Sequence, residues 1–273
     1  MRDLNKLERD GFCVLRGVLP AADTSKLVAM AHREKETHHV MAHSDSMWHI
    51  RTSVRPIFES IYHTDDLITS FDGMTFKYPG GGGLVLGYHV DQEQNESHCY
   101  QSLVALTKSD ATTGSVSFLV ASHKDHADTL RRYDRGIDLD TVQDGDGDGD
   151  GDGDGDPVRA TWQFLELADG DPLVKRCDQY TASLKPGDIA LWDSRTVHCV
   201  VPGTDPLSTR LVAYVCMVPR SFACQTTLRR RRDAFCRGAS STNWPHLFVL
   251  RGEKNLSVRR KFSETPACIA SLV

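Results

Sequence analysis

The stretch GLVLGYHVD, residues 83–91, is an apolar, glycine-bounded run that ends in a His-x-Asp triplet. Alternate residues of a strand project to the same face, so a strand here would direct the imidazole of His89 and the carboxylate of Asp91 to one point. Two histidines and one carboxylate form the facial triad that holds non-haem iron(II) and leaves coordination positions open. The stretch therefore predicts a strand that ends at two metal ligands.

A third ligand is predicted in the segment LKPGDIALWDSRTVHCVVPG, residues 184–203. A Pro-Gly-Asp turn leads into one apolar strand, and a short connection leads into a second strand that carries His198. This pattern places His198 inside a sheet and not on a loop. The alternative is an ordinary core histidine, whose ring nitrogens are satisfied by its neighbours.

Four further His-x-Asp triplets begin at His43, His63, His123 and His126. Their surroundings are polar and turn-like, and the sequence predicts solvated surface histidines at all four. The triplet at His89 differs because a strand precedes it.

An arginine at the start of a strand supplies a possible anion site. Arg210 precedes the apolar run at 211–218. A guanidinium at the mouth of a β core can bind a carboxylate through two parallel hydrogen bonds, which would suit the far carboxylate of 2-oxoglutarate. The alternative is a salt bridge at the rim of the sheet.

The order of the apolar runs indicates an α+β protein with a β core. A strand is predicted within residues 9–20, and helices at 21–36 and 54–62. Short strands are then predicted at 74–78, 84–89, 100–107, 116–121, 189–193, 196–201 and 210–218.

The composition of the 273-residue chain is that of an ordinary globular protein, with 40% hydrophobic and 25% charged residues. No apolar run is long enough to cross a membrane, and the first residues lack the apolar core of a secretion signal. The eight cysteines form no CxxC pair and are expected to be reduced thiols. We therefore expect a cytoplasmic protein.

Two segments have unusual charge. A strict Asp-Gly alternation occupies residues 144–156, and we interpret it as a disordered insertion in a surface loop, because it cannot bury apolar surface and its like charges repel. The alternative is calcium binding, although the spacing matches neither the EF-hand loop nor the nonapeptide β-roll repeat. Residues 221–273 are interpreted as a basic C-terminal extension, in which the arginine run at 229–232 forms a solvated helix face. A nucleic-acid partner is not expected, since no aromatic residues interleave the basic ones.

From about residue 9 to 220 the chain resembles the phytanoyl-CoA dioxygenase-like branch of the Fe(II)/2-oxoglutarate dioxygenases. The resemblance lies in DGFCVLRGVL at 10–19, HVDQ at 89–92, TGSVSFLVASHK at 113–124, the strand pair at 187–198, and Arg210, in this order. The third of these motifs implies that His123 belongs to a turn and is not a ligand.

The resemblance implies a double-stranded β-helix core, of the jelly-roll or cupin-like kind, with flanking helices in a single domain over 1–273. It implies that His89, Asp91 and His198 hold Fe(II) as metal ligands and catalytic residues. Arg210 and Lys77 would bind 2-oxoglutarate, with ascorbate as an optional cofactor. The expected reaction uses O2 to hydroxylate a C–H bond of a small molecule or acyl substrate, with release of succinate and CO2.

The chain departs from the family pattern at two points and leaves two alternatives open. The residues VAS at 120–122 replace a Val-Pro-Gly-Ser type of turn, and Val200 replaces a small hydroxyl residue that contacts the cosubstrate in many relatives. Because Asp91 is present, a halogenase is not indicated. The alternatives are a cupin-like metalloenzyme that does not use 2-oxoglutarate and a degenerate relative that acts as a binding module.

Four aromatic residues are candidates for the wall of the substrate pocket, although each could equally pack in the core. They are Trp48, Tyr88, Tyr100 and Trp192.

Overall fold

A computed structural model describes residues 4–37, 41–81, 85–91, 99–133, 165–247, 250–251 and 262–273. The Asp-Gly tract at 144–156 lies outside these residues. The helices are α1 Asn5–Asp10, α2 Ala21–Thr37, α3 Asp45–Tyr62, α4 His126–Tyr133, α5 Pro172–Arg176, α6 Gln225–Arg237 and α7 Ala267–Ala270. Short 3-10 helices occur at Met41–His43, Ser122–Asp125, Arg220–Phe222 and Phe262–Glu264. Within the described ranges, none of the helices has the length and apolar character that a membrane crossing requires.

The strands form two main antiparallel sheets and a two-stranded one. They are β1 Phe12–Leu15, β2 Leu67–Thr69, β3 Met74–Lys77, β4 Leu86–Val90, β5 Tyr100–Ala105, β6 Gly114–Leu119, β7 Leu165–Glu166, β8 Gln179–Thr181, β9 Ile189–Asp193, β10 His198–Pro202, β11 Arg210–Pro219, β12 Ser240–Ser241 and β13 Leu250–Arg251. The larger sheet has the order β1-β9-β5-β11-β2, and β3 also pairs with β11. The smaller sheet has the order β7-β4-β10-β6-β8, and β12 pairs with β13.

Eight of these strands are paired in a nested order, in which the first pairs with the last and each later strand pairs with the preceding one from the other end. β3 pairs with β11, β4 with β10, β5 with β9, and β6 with β8. The first and third of these pairs lie in the larger sheet, and the other two lie in the smaller one. The eight strands thus form one long antiparallel hairpin that is wound over two sheets.

Two layers of apolar side chains surround the larger sheet. Phe12, Leu103, Phe118 and Ala190 belong to the core between the sheets, where the rings of Phe12 and Phe118 stack at 4.5 Å. On the opposite face, α2 and α3 cover the larger sheet in a second core. At roughly 1.5–3 kcal/mol for each fully buried large apolar side chain, this burial is the main stabilising contribution to the fold.

The predicted α+β class and the predicted strands at 74–78, 84–89, 100–107, 116–121, 189–193, 196–201 and 210–218 are confirmed, with boundaries that differ by a few residues. The helix predicted at 54–62 is longer than expected, because α3 begins at Asp45. Its N-cap is Ser44, whose hydroxyl accepts a hydrogen bond from the amide of Met47. Pro56 lies inside this helix. Proline usually occurs in the first turn of a helix, so its position favoured a helix start near residue 54 and the preceding turns were not predicted.

The turn at residues 120–122, where the sequence departs from the family pattern, has an unusual backbone conformation. Ala121 has φ 61°, in the left-handed region that glycine tolerates best. Glycine occupies this position in the Val-Pro-Gly-Ser turn that the segment replaces. The backbone conformation of the turn is therefore one that glycine suits, although the residue is alanine.

The sequence predicts that the arginine run at 229–232 is solvated, but Arg231 is fully buried. Its guanidinium donates hydrogen bonds to the carbonyl oxygens of Thr69, Pro245, Leu272 and Val273. Arg231 thus ties α6 to β2 and to two later segments of the chain.

Replacing Arg231 with methionine should destabilise the protein strongly. The substitution keeps an unbranched side chain but leaves buried carbonyl oxygens without donors, at about 1–3 kcal/mol each. We expect the free energy of unfolding to fall by roughly 3 kcal/mol or more in urea denaturation. The control is Arg229→Met, on the exposed side of the same helix. Equal effects of the two substitutions would contradict the assigned role.

Candidate metal centre

His89 and His198 lie directly opposite each other on the neighbouring strands β4 and β10. Residues in such a cross-strand pair project to the same face of the sheet. The centroids of the two imidazole rings are 4.2 Å apart. The structure thus brings together two of the residues that the sequence proposed as ligands.

Asp91 follows the end of β4 and completes the cluster. Its Oδ1 is 3.8 Å from Nε2 of His89, and its Oδ2 is 3.7 Å from Nε2 of His198. Metal–ligand bonds of roughly 2.0–2.2 Å, as for zinc, allow two ligand atoms of one ion to be up to about 4 Å apart. The three side chains can therefore share one metal ion.

Hydrogen bonds to the main chain determine which nitrogen of each histidine is available to a metal. Nδ1 of His89 is 2.7 Å from the carbonyl oxygen of Gly87, and Nδ1 of His198 is 3.0 Å from that of Thr196. A carbonyl oxygen can only accept, so each Nδ1 carries the proton and each Nε2 offers a lone pair. Burial and the neighbouring His198 lower the pKa of His89 to about 4, which keeps this ring neutral at pH 7.

The three side chains line a cavity of about 270 Å³ between the two sheets, and Arg210 lines the same cavity. Arg210 is 7% exposed, and its Nε donates a hydrogen bond to Oγ of Ser109 at 2.9 Å. Burial lowers the pKa of its guanidinium. No carboxylate in the described part of the chain pairs with Arg210. A buried cation without a counter-ion makes this end of the cavity a site for an anion.

Lys77 is paired with Arg210 on the neighbouring strand, and both residues line a second, smaller pocket. Its ammonium donates to the carbonyl oxygens of Thr113 and Asp205, at 3.2 and 3.1 Å, and to Oγ of Ser208 at 2.9 Å. These contacts use its three donors, and Lys77 is not among the residues that line the cavity. The lysine ties two loops together, and its part in cofactor binding stays a prediction.

The sequence predicts surface histidines in the other four His-x-Asp triplets, but three of the four are buried. His43, His123 and His126 are buried, and only His63 is exposed. Nε2 of His43 contacts the carbonyl oxygen of Ala239, and Nε2 of His123 contacts that of Glu8. Neither ring lies in the metal cluster, and His123 belongs to a turn, as the resemblance implied.

The aromatic candidates for the pocket wall have different positions. Trp192 lines the cavity, and its ring centroid is 5.2 Å from that of His198. Trp48 is buried in the helical core, away from the cavity. Tyr88 and Tyr100 do not line the cavity either.

Asn243, which lies between β12 and β13, is a residue of the site that sequence reasoning did not find. Its Nδ2 donates a hydrogen bond to Oδ2 of Asp91 at 3.1 Å. A bond of this kind fixes the orientation of a ligating carboxylate. No local pattern in the sequence marks the residue, because the contact joins segments 152 residues apart.

No family model matches the sequence. Among curated proteins, Ava biosynthesis cluster protein O of Aspergillus versicolor is 24% identical over 238 residues, which cover 83% of this chain and 71% of that protein.

Solved structures of non-haem α-ketoglutarate-dependent enzymes are similar to this chain. One is the epimerase SnoN in complex with Fe3+, α-ketoglutarate and nogalamycin RO, with a TM-score of 0.57 and 18% identity over 80% of this chain and 82% of SnoN. Another is the carbocyclase SnoK from nogalamycin biosynthesis, with a TM-score of 0.56 and 16% identity over 79% and 83% of the two chains. The chain is also similar to a further solved structure, that of AviO1 from Streptomyces viridochromogenes Tue57, with a TM-score of 0.54 and 13% identity over 81% of this chain and 95% of AviO1. The chain shares their fold.

Each of the substitutions His89→Ala, Asp91→Ala and His198→Ala should weaken metal binding, because each removes one donor of three. We expect losses greater than the roughly 10–100-fold that follows from losing an outer partner of a metal ligand. Calorimetric titration of the purified protein with Fe(II) under argon, or with Co(II), measures the affinity. His63→Ala, in an exposed triplet of the same type, is the matched control and should bind metal normally.

The substitution Asn243→Ala should weaken metal binding without abolishing it, by about tenfold, since it frees the carboxylate of Asp91 to rotate. Asn243→Asp should also weaken metal binding, because the new carboxylate would repel that of Asp91 instead of donating a hydrogen bond to it. The same titration measures both variants. Wild-type affinity in Asn243→Ala would show that the hydrogen bond has no part in orienting the ligand.

Proposed function

We propose that this protein is an Fe(II)- and 2-oxoglutarate-dependent dioxygenase. The observation that carries the proposal is that the cluster His89, Asp91 and His198 lines one cavity with the guanidinium of Arg210, which has no carboxylate partner among the described residues. The donor set suits iron(II), and the buried cation suits the far carboxylate of a keto diacid.

Each side chain of the site would have a separate role. His89 and His198 present Nε2 to the metal, because their Nδ1 protons are held by backbone carbonyl groups. Asp91 adds a negatively charged donor, which Asn243 orients. Arg210 binds the distal carboxylate of 2-oxoglutarate, and the apolar core between the sheets excludes water. When bound, iron(II), 2-oxoglutarate and O2 supply an oxidative decarboxylation to succinate and CO2 that is coupled to oxidation of a substrate C–H bond.

We also propose that the eight wound strands are a double-stranded β-helix, the jelly-roll or cupin-like core that the sequence resemblance implies. The pairing of β3 with β11, β4 with β10, β5 with β9 and β6 with β8 supports it. We propose further that residues 1–273 form a single dioxygenase domain. Asn243 supports this, because it joins residues 221–273 to the metal centre.

Two observations favour this function over its alternatives. A degenerate binding module would have no need for three intact ligands whose histidine tautomers are set for a metal. A cupin-like enzyme without a keto-acid cosubstrate would have no need for a buried arginine without a carboxylate partner. Ferrous iron, 2-oxoglutarate and optionally ascorbate are therefore the proposed cofactors.

The proposed substrate is a small molecule or acyl compound that is hydroxylated at carbon. The small-molecule class is supported by SnoN and SnoK, which belong to nogalamycin biosynthesis, and by the biosynthetic-cluster relative. Because SnoN is an epimerase and SnoK a carbocyclase, the product must be identified by its mass. Hydroxylation adds one oxygen atom, whereas epimerisation conserves the mass and oxidative ring closure removes two hydrogen atoms.

The direct test is anaerobic titration of the Fe(II)-loaded protein with 2-oxoglutarate, followed by visible absorption of the iron–keto-acid chelate. On admission of O2 with ascorbate, succinate should form. We expect the absorption band in the wild-type protein and its loss in His198→Ala. An Fe(II)-loaded wild-type protein that gives no band and no succinate would overturn the proposal.

The substitution Arg210→Gln should raise the dissociation constant of 2-oxoglutarate by about 10- to 100-fold, as charge-assisted hydrogen bonds contribute roughly 1.5–3 kcal/mol. The affinity for Fe(II) alone should be unchanged, because Arg210 is not a ligand. The matched control is Arg220→Gln, which breaks an ion pair with Asp66 at the surface. Unchanged binding of 2-oxoglutarate in Arg210→Gln would instead favour the enzyme that does not use it.

A further inference from the structure

Two polar side chains in the cavity have no part in the proposed chemistry. Gln101, on β5, is 3% exposed, and neither its amide nitrogen nor its amide oxygen has a hydrogen-bond partner in the described part of the protein. Trp192, on β9, is 5% exposed, and its indole N–H is also without a partner. The two residues are direct neighbours in the strand pairing, and both line the cavity.

Such an arrangement is unfavourable for the protein by itself. Buried polar groups in proteins are nearly always hydrogen-bonded, and an apolar residue of similar shape at position 101 would avoid the loss. Leu103, the next residue of β5 on the same face, is apolar and packs in the core between the sheets. A pair of unsatisfied groups beside the metal ligands is therefore suited to a bound molecule.

The position of the pair separates it from the cosubstrate. Trp192 lies beside the metal ligand His198, and Gln101 is paired with Cys216 on β11. Arg210 is six residues from Cys216 on that strand, a distance of about 20 Å at roughly 3.3 Å per residue. A five-carbon diacid that joins the metal to Arg210 cannot also reach Gln101. The pair belongs to the end of the cavity that remains for the primary substrate.

The charges of the cavity limit what this substrate can be. Among the described residues that line it, the charged ones are Asp72, Asp91 and Arg210. Asp91 is assigned to the metal and Arg210 to 2-oxoglutarate, which leaves the carboxylate of Asp72. Among these described residues, a carboxylate or phosphate group on the substrate would find no free cation and would be repelled by Asp72.

We propose that Gln101 and Trp192 determine the specificity of this site by hydrogen-bonding a neutral substrate through a carbonyl or hydroxyl oxygen. An indole N–H only donates, so it requires an acceptor oxygen, whereas the amide can serve an acceptor or a hydroxyl donor. This inference rests on the proposed function, because it takes Arg210 to be occupied by 2-oxoglutarate.

The first test distinguishes a role of Gln101 and Trp192 in substrate binding from a role in the stability of the fold. Gln101→Met and Trp192→Phe remove the polar atoms and retain most of the volume. The melting temperature of the ligand-free variants should equal or exceed that of the wild type, because no internal hydrogen bond is lost. A clear fall in melting temperature for both would assign the residues to the structure. Gln225→Met, at an exposed glutamine, is the matched control.

The second test uses small probes that differ in charge. 1-Tetralone and 1-tetralol are neutral and carry one oxygen, and 1-naphthoate has a similar ring system with a carboxylate. With the anaerobic Fe(II)·2-oxoglutarate protein, we expect the neutral probes to bind and 1-naphthoate not to bind. Loss of the hydrogen bonds in Gln101→Met and Trp192→Phe should weaken the neutral probes by about 5- to 100-fold. Binding of 1-naphthoate alone, failure of both neutral probes, or equal binding by the variants would overturn the inference.

The affinity for 2-oxoglutarate distinguishes a failure of the proposed function from a failure of the assignment of Gln101 and Trp192. It should be the same in the wild type, Gln101→Met and Trp192→Phe, since these residues lie away from Arg210. If the wild type does not bind 2-oxoglutarate, the proposed function fails. If the wild type binds it normally and the substitutions leave probe binding unchanged, only the assignment of Gln101 and Trp192 fails.

Discussion

The pairing of β4 with β10 is the constraint on which the rest of the site depends. It places His89 opposite His198, and the carbonyl oxygens of Gly87 and Thr196 then fix both imidazole rings. A shift of one residue would turn one imidazole to the other face of the sheet, because side chains alternate along a strand. β10 is held on its other side by β6, which is paired with it along its whole length. The central strand β10 and its two neighbours, β4 and β6, thus support the geometry of the metal ligands.

Burial gives the two ends of the cavity different chemical characters. At one end the guanidinium of Arg210 is enclosed with a hydroxyl as its neighbour, so an anion would bind there more strongly than at the surface. Elsewhere in the cavity, Gln101 and Trp192 are lining residues, as is Asp72. The proposed arrangement would hold a charged cosubstrate at Arg210 and a neutral substrate at Gln101 and Trp192.

Strands β1, β3–β6 and β9–β11 could be predicted from the sequence because each is a short apolar run between turn residues, a local property. Strands β2, β7, β8, β12 and β13 have only two or three residues and were not predicted. The two ligands on β4 and after it could be predicted because the spacing His89-x-Asp91 gives one face of a strand. His43 was misjudged because its partners Trp48, Phe71 and Phe235 come from three segments of the chain. The three oxygens that accept hydrogen bonds from Lys77 could not be predicted, because they belong to loops distant from it in the sequence.

The sequence by itself determined the succession of strands along the chain, the candidate donor atoms and an arginine at the start of a strand, since these follow from residue type and periodicity. Only the tertiary structure decided that Arg210 is buried, that Asn243 donates a hydrogen bond to Asp91, that Arg231 is enclosed by main-chain oxygen atoms, and that the amide of Gln101 has no hydrogen-bond partner among the described residues. These properties depend on contacts between residues far apart in the chain. Such contacts are set by sheet pairing and core packing, which no local pattern of residues specifies.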